Sequence, residues 1–349
     1  MQHHRHPPLP TSPVAYDFQY IEGVNELSAP IPARRPRSNS SDPQTRTVRV
    51  STAFLFPGQG AQTVGMAGDL VAKSPVAKKL FDDAAGILGY DLLDLCVRGP
   101  AERLNATDVS QPAIFVASLA ALETLRTAEP DAFADVTATA GLSLGEYTAL
   151  AFAGAISFAD GLKVVQARGR AMQAAADANP GAMASLLGGD LAGVEALVAE
   201  ARSKGKLEVA NLLCPGNTAI SGSVAAIDEA CKLAEGKSFK AVRLAVAGAF
   251  HTDLMRPADE HLGAALAGIE IKPPSIPVWS NVDAKPHTDP AEIRGLLVKQ
   301  VLSPVRWEET IRGLMESGVA RFYEIGPGRV LAGLLKRVNR KADIRNAQA

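Results

Sequence analysis

No stretch of about 18 uninterrupted apolar residues occurs in this sequence, so a membrane-spanning helix is not expected. Cysteine is scarce. Cys96, Cys214 and Cys231 are too few and too scattered for a disulfide scaffold or a structural zinc site. A reducing compartment suits such a chain better than a secreted one. Neither sign of charge dominates: 36 Lys and Arg face 37 Asp and Glu, a formal net charge of -1. That balance argues against a nucleic-acid binder working through a global basic field. Histidine is short too. His3, His4 and His6 lie in the first few residues, which leaves His251, His261 and His287 for the body. What the chain does have is 47% hydrophobic residues over 349, enough for one large core or two smaller ones. A soluble globular protein follows as the default.

Residues 1–50 differ in kind from the rest. They lack a sustained helical or strand period and are rich in Pro, Ser, Arg and His. Such a segment cannot bury enough apolar surface to offset its ordering entropy, so it is expected to be a disordered extension. It reads either as a simple tail or as an organelle-targeting peptide. The acids Asp17, Glu22, Glu26 and Asp42 count against the second reading. An organelle matrix such as the plastid stroma is the expected location if it targets, and the cytoplasm otherwise.

From Ser51 strands alternate with helices. Thr52 to Phe56 is a short apolar run ending in Pro-Gly, a buried-strand signature. Helical segments are expected near Ser74–Leu88 and Pro112–Ala128, and Asp160 is a candidate cap for a helix running to about Ala178. This alternation predicts an α/β fold with a mainly parallel sheet, α/β-hydrolase-like in outline. Residues 179–247 read as βαββαβ, a ferredoxin-like unit inserted between 51–178 and 248–349. A strand "IPVWSNV", a helix from near Pro290 and a strand "RFYEIG" complete the larger domain.

Gly141-Leu142-Ser143-Leu144-Gly145 matches G-x-S-x-G, with an apolar strand before it and an Ala-rich helix after. A serine on such a tight turn projects at the sheet edge, above a helix N-terminus rich in free N–H groups. The N–H of Leu144, next in the chain, suits an oxyanion. An ordinary Gly-rich turn is the alternative. An activated serine needs a base, and His251 is the preferred candidate. It stands where the chain returns to the larger domain, just before an expected helix "TDLMRPADEHLGAAL". His261 inside that helix and His287 in a loop read more simply as surface or packing residues. No acid stands out as a third member, and a backbone carbonyl can orient a histidine as well. A second oxyanion donor is expected from another strand-to-helix loop, and Phe56–Gln62, "FPGQGAQ", is one. It carries no Lys-Ser/Thr after its glycines and is not G-x-G-x-x-G, which removes the Walker reading and weakens the dinucleotide one.

Together "FPGQGAQ", "GLSLGEYTALAFAGA", "RGRAMQ", "GAFH" and "SPVRW" resemble the malonyl-CoA:acyl carrier protein transacylases, in order and spacing, from about Ala53 to Val338. The wording is especially similar to the plant and algal plastid branch. The resemblance implies that Ser143 accepts the acyl group and that His251 is the catalytic histidine. It implies that Arg168, 25 residues beyond the serine, pairs with the malonyl carboxylate. It places Gln59 and Leu144 as the oxyanion-hole N–H donors and Gln300 as the residue whose main-chain carbonyl orients the histidine. Asn211 resembles a pocket asparagine. Leu142 departs from the many members that have His there. Malonyl-CoA and acyl carrier protein are the implied partners, with no cofactor, no metal, no nucleic acid and no membrane, and a monomer is expected.

The arginine also makes sense without the resemblance. A guanidinium fork binds a carboxylate bidentately, and an uncompensated Arg in a dry pocket is costly. Such a site favours an acyl group that brings its own anion. The alternative is an exposed helix arginine. A serine thioesterase or hydrolase remains a rival reading, as does a polyketide-type acyltransferase with another extender unit. Within the resemblance, Phe250 before the histidine accompanies malonyl rather than methylmalonyl choice.

Overall fold

The computed structural model describes residues 50–246 and 248–349. The expected disordered or targeting segment therefore lies, but for Val50, outside the described residues. In chain order the strands are β1 (Thr52–Phe56), β2 (Val136–Gly141), β3 (Gly181–Leu187), β4 (Leu207–Cys214), β5 (Asn217–Ser223), β6 (Lys240–Arg243), β7 (Val278–Trp279), β8 (Pro286–His287), β9 (Arg321–Gly326) and β10 (Asp343–Gln348).

They form two sheets. The larger has the order β10-β9-β1-β2-β7-β8, and every pairing is parallel except β7 with β8 at the edge. The smaller is antiparallel, in the order β4-β5-β3-β6. With the helices Leu191–Ala201 and Val224–Glu235 between its strands, it is the ferredoxin-like βαββαβ unit expected from the sequence.

The period of two along β1 explains how the large sheet is covered on both faces. Phe54 and Phe56 point into a core shared with the helices Thr107–Ala128 and Gly145–Phe152. Ala53 and Leu55 point the other way, onto Trp307, Ile311 and Leu331. A third core, with Leu186, Val194, Leu197 and Ile227, fills the space under the small sheet. The small sheet is tied to the segment before the helix Trp307–Glu316, where Leu212 N–H donates to the Val305 carbonyl at 2.9 Å and Val305 N–H donates to the Ala210 carbonyl at 2.8 Å.

Four local expectations are corrected. The helix Phe158–Ala178 is capped by Ser157, whose hydroxyl accepts from Asp160 N–H at 3.0 Å; Asp160 sits in the first turn instead. The segment after His251 is not one helix. A short 3-10 turn, Asp253–Met255, is followed by a helix from Ala258 to Ala267, because Pro257 has no N–H with which to continue the ladder. Only Val278 and Trp279 of "IPVWSNV" pair as a strand. His287, expected in a loop, lies on the two-residue edge strand β8.

Candidate active site

The turn between β2 and the helix Gly145–Phe152 is built by glycine. A Cβ at Gly141 would overlap the Gly145 carbonyl, and a Cβ at Gly145 would overlap the Phe56 carbonyl. Only glycine tolerates both approaches. Ser143 at the apex takes φ 52°, a left-handed conformation that non-glycine residues rarely adopt and surrounding contacts must hold. Asn281 supplies those contacts. Its Oδ1 accepts from Ser143 N–H at 2.6 Å, and its Nδ2 donates to the Gly141 carbonyl at 2.8 Å.

His251 comes from the chain leaving the small sheet, itself at φ 62°. Its Nε2 lies 2.9 Å from Ser143 Oγ and its Nδ1 lies 2.9 Å from the Gln300 carbonyl. A carbonyl only accepts, so Nδ1 carries the proton and Nε2 presents its lone pair to the serine hydroxyl. The carbonyl is available because Gln300 ends the helix Pro290–Gln300, where the last C=O groups lack helical partners. Burial, and next the positive charge of Arg168, pull the histidine pKa down from 6.5 to about 4, against the upward pull of the Gln300 carbonyl. The ring is therefore neutral at pH 7, the form that can take a proton.

Arg168 lies on the buried stripe of the helix Phe158–Ala178, in line with Gly161, Val164, Val165 and Met172. It is 1% exposed. Its Nη2 donates to Ser143 Oγ and to Gln300 Oε1, both at 3.0 Å, and its Nη1 donates to Gln111 Oε1 at 2.7 Å. Its Nε is buried without a partner among the described residues. The exposed-arginine alternative is thereby removed. Ser143, His251, Arg168 and Gln300 are brought into one hydrogen-bonded cluster.

The loop carrying Gln59 reaches the same turn. Gly58 packs so closely that a Cβ would overlap the Leu142 carbonyl, and Leu142 N–H donates to the Phe56 carbonyl at 3.0 Å. Gly60 N–H is taken by Gln62 Oε1 at 2.8 Å. Among the described residues, neither Gln59 N–H nor Leu144 N–H has an acceptor. One of these free donors follows the serine in the chain and the other belongs to the loop packed on its turn, whereas Ser143 N–H is already used by Asn281. Asn211 sits on β4 opposite Val305 and is 8% exposed. No hydrogen bond joins its side chain to the cluster among the described residues. Leu142 is half-buried against the core that contains Trp307.

Comparison with known proteins gives the family. A family model described as "Acyl transferase domain" matches residues 53–349. The malonyl CoA-acyl carrier protein transacylase of Bacillus subtilis is 44% identical over 293 residues, which is 83% of this chain and 90% of the relative. The chain belongs to the malonyl-CoA–acyl carrier protein transacylase family. The mitochondrial transacylase of Homo sapiens is 40% identical over 334 residues, 92% of this chain and 85% of its own. A malonyl-transacylase solved in complex with its type II polyketide acyl-carrier protein superposes with a TM-score of 0.80 at 38% identity, over 86% of this chain and 96% of that one.

Three residues of this transacylase site escaped the sequence reading. Gln111, Glu146 and Asn281 are all buried and all hydrogen-bonded to the cluster. The side chain of Gln300 escaped it too, since only its carbonyl was expected to matter. Gln300 Nε2 donates to the Ser143 carbonyl at 3.0 Å and to Glu146 Oε2 at 2.7 Å. The available signal was a polar residue on an otherwise apolar helix face: Gln111 lies in a helix buried without interruption from Val109 to Leu122. No group of His, Cys, Asp and Glu suited to a metal ion occurs among the described residues. No helix among them is long and apolar enough to cross a membrane.

Proposed function

We propose that this protein transfers the malonyl group from malonyl-CoA to the phosphopantetheine thiol of acyl carrier protein through an ester on Ser143. The observation that carries the reading is the buried Arg168 guanidinium 3.0 Å from Ser143 Oγ, a fixed cation beside a Ser–His pair. In the first half-reaction Ser143 Oγ attacks the thioester carbonyl and His251 Nε2 takes its proton. The tetrahedral oxyanion accepts from the N–H groups of Gln59 and Leu144. CoA leaves as its thiol, protonated by His251. In the second half the carrier thiol gives its proton to His251 and attacks the ester, returning the serine.

Arg168 already donates to three neutral acceptors, so the malonyl carboxylate exchanges some of these for an anionic fork. That exchange favours malonyl over acetyl, which has no anion to offer. Asn211 lines the acyl pocket from the small sheet. The reaction uses no cofactor beyond the substrate's own CoA, and the enzyme works as a monomer. The product serves fatty acid synthesis. Residues 51–178 and 248–349 form the acyltransferase domain, and 179–247 its inserted ferredoxin-like small subdomain. Residues 1–50 serve as an organelle presequence; their Arg-rich composition and the mitochondrial relative favour this.

Intact-mass trapping tests the reading. Incubation with malonyl-CoA is expected to add one malonyl group to Ser143, which holo carrier protein then removes with transfer to its own thiol. Release of free malonate at the same rate with and without carrier protein would overturn it in favour of a hydrolase. Fusion of residues 1–50 to a reporter tests the address.

A further inference from the structure

Beneath the serine turn lies a carboxylate that the two half-reactions do not use. Glu146 is 3% exposed, in the first turn of the helix that follows Ser143. One of its oxygens, Oε2, accepts from Gln300 Nε2 at 2.7 Å and from Asn281 N–H at 3.1 Å. The amide of Gln300 is thus a one-residue bridge. Its Nε2 faces the Glu146 carboxylate and its Oε1 faces the Arg168 guanidinium. Among the described residues, Arg168 forms no direct salt bridge, although it is almost wholly buried.

We infer that Glu146 is the resident counter-charge of Arg168, and that it sets the malonyl selectivity of the site by competing electrostatically with the incoming acyl carboxylate. The inference rests on the proposed malonyl transfer and names a further specificity-determining residue for it. A buried guanidinium needs a negative neighbour, and Glu146 is the carboxylate within one amide of it. With Glu146 ionised, the pair is neutral before substrate arrives. A malonyl carboxylate then leaves the dry cluster with one negative charge too many. With Glu146 neutral, the same carboxylate exactly balances Arg168, and malonyl is preferred more strongly over uncharged acetyl.

The other ionisable groups of the cluster are Arg168 from the helix Phe158–Ala178, His251 from the chain after the small sheet, and Tyr147 from the serine helix itself. Burial holds Tyr147 neutral by raising its pKa, and His251 is neutral above about 4. Burial raises the Glu146 carboxyl from 4.5 to about 7, with the bonds from Asn281 and Gln300 and the charge of Arg168 pulling the other way. Its charge is therefore adjustable in the range where the enzyme can be assayed.

The test is the ratio of kcat/KM for malonyl-CoA to that for acetyl-CoA, measured from pH 6 to 8 in the wild type and in Glu146→Gln. The substitution keeps the shape and an acceptor oxygen but removes the charge. At pH 8 the ratio is expected to be about tenfold higher in the variant, the scale of a charge pair separated by one amide in a partly polar interior. The wild-type ratio is expected to rise as pH falls and to approach the variant, whose ratio stays flat. Titration of His251 and of the CoA phosphates affects both substrates alike and cancels in the ratio. Mere loss of packing lowers both substrates together. An unchanged or lower ratio in the variant, or a flat ratio in the wild type, overturns the inference. Should the variant not fold, the wild-type pH series decides alone. A wild type that forms no malonyl ester at all refutes the underlying transfer reading instead.

Discussion

Asn281 grips both ends of the turn that carries Ser143: its amide oxygen takes the Ser143 N–H at 2.6 Å while its amide nitrogen gives to the Gly141 carbonyl at 2.8 Å. One side chain thereby satisfies a donor and an acceptor that the left-handed serine would otherwise bury unpaired. It also removes Ser143 N–H from any oxyanion role. Asn281→Ala leaves both backbone groups without partners. Each such loss costs about 1–3 kcal/mol. A lower melting temperature is expected, together with a slower burst of Ser143 acylation. Normal acylation in a normally stable variant would show that the strained turn holds without the clamp.

Ser143→Ala removes the hydroxyl that meets His251 Nε2 at 2.9 Å. The malonyl-enzyme adduct should vanish from intact-mass spectra while the fold, judged by circular dichroism, is kept. Persistence of an adduct at wild-type occupancy would mean that another nucleophile carries the acyl group.

Arg168→Ala takes away the cation beside the serine and leaves Gln111 Oε1 and Gln300 Oε1 without their donor. Malonyl kcat/KM should fall by 100-fold or more on the order-of-magnitude scale of a charged hydrogen bond, with acetyl affected far less. A ratio of the two that does not move would end the carboxylate-clamp role.

Much of this cluster was legible because short-range sterics leave a mark in sequence. The glycines at 141 and 145 are needed where backbone meets backbone, so they frame Ser143 visibly. Gln111, Asn281 and the side chain of Gln300 leave no such mark. They come from three separate helices or turns and meet only through the fold, at sequence separations of 57 to 157 residues from their partners. Arg168 was legible as a residue, but only the burial of its helix face excludes a solvated arginine. The last strand, β10, was not expected. "DIRNAQ" has little apolar alternation because it lies at the sheet edge, where backbone pairing with β9 suffices.

Gly58→Ala probes the oxyanion loop without touching a polar group. Its Cβ would overlap the Leu142 carbonyl, so the loop must retreat from the serine turn and carry Gln59 N–H with it. Loss of one oxyanion donor lowers kcat by roughly 100- to 1,000-fold. The expected result is a fall in kcat with little change in KM, measured by stopped-flow acylation. A variant with unchanged kcat would place the second donor elsewhere.

Stability against pH separates His251 from Glu146. Between about 4 and 6.5 the unfolded histidine holds a proton that the buried one lacks, so acidification through this window destabilises the fold. Between 4.5 and about 7 the buried Glu146 holds a proton that its unfolded form lacks, so acidification there stabilises the fold. Each contribution is on the order of 3 kcal/mol when complete, and the two oppose each other over most of the range. Glu146→Gln removes the compensating member. Its unfolding free energy, from urea titrations at pH 7, 6 and 5, is expected to drop more steeply than that of the wild type. Parallel curves for the two proteins would mean that Glu146 does not change its protonation on folding, and a shallower curve for the variant would reverse the sign assigned to it.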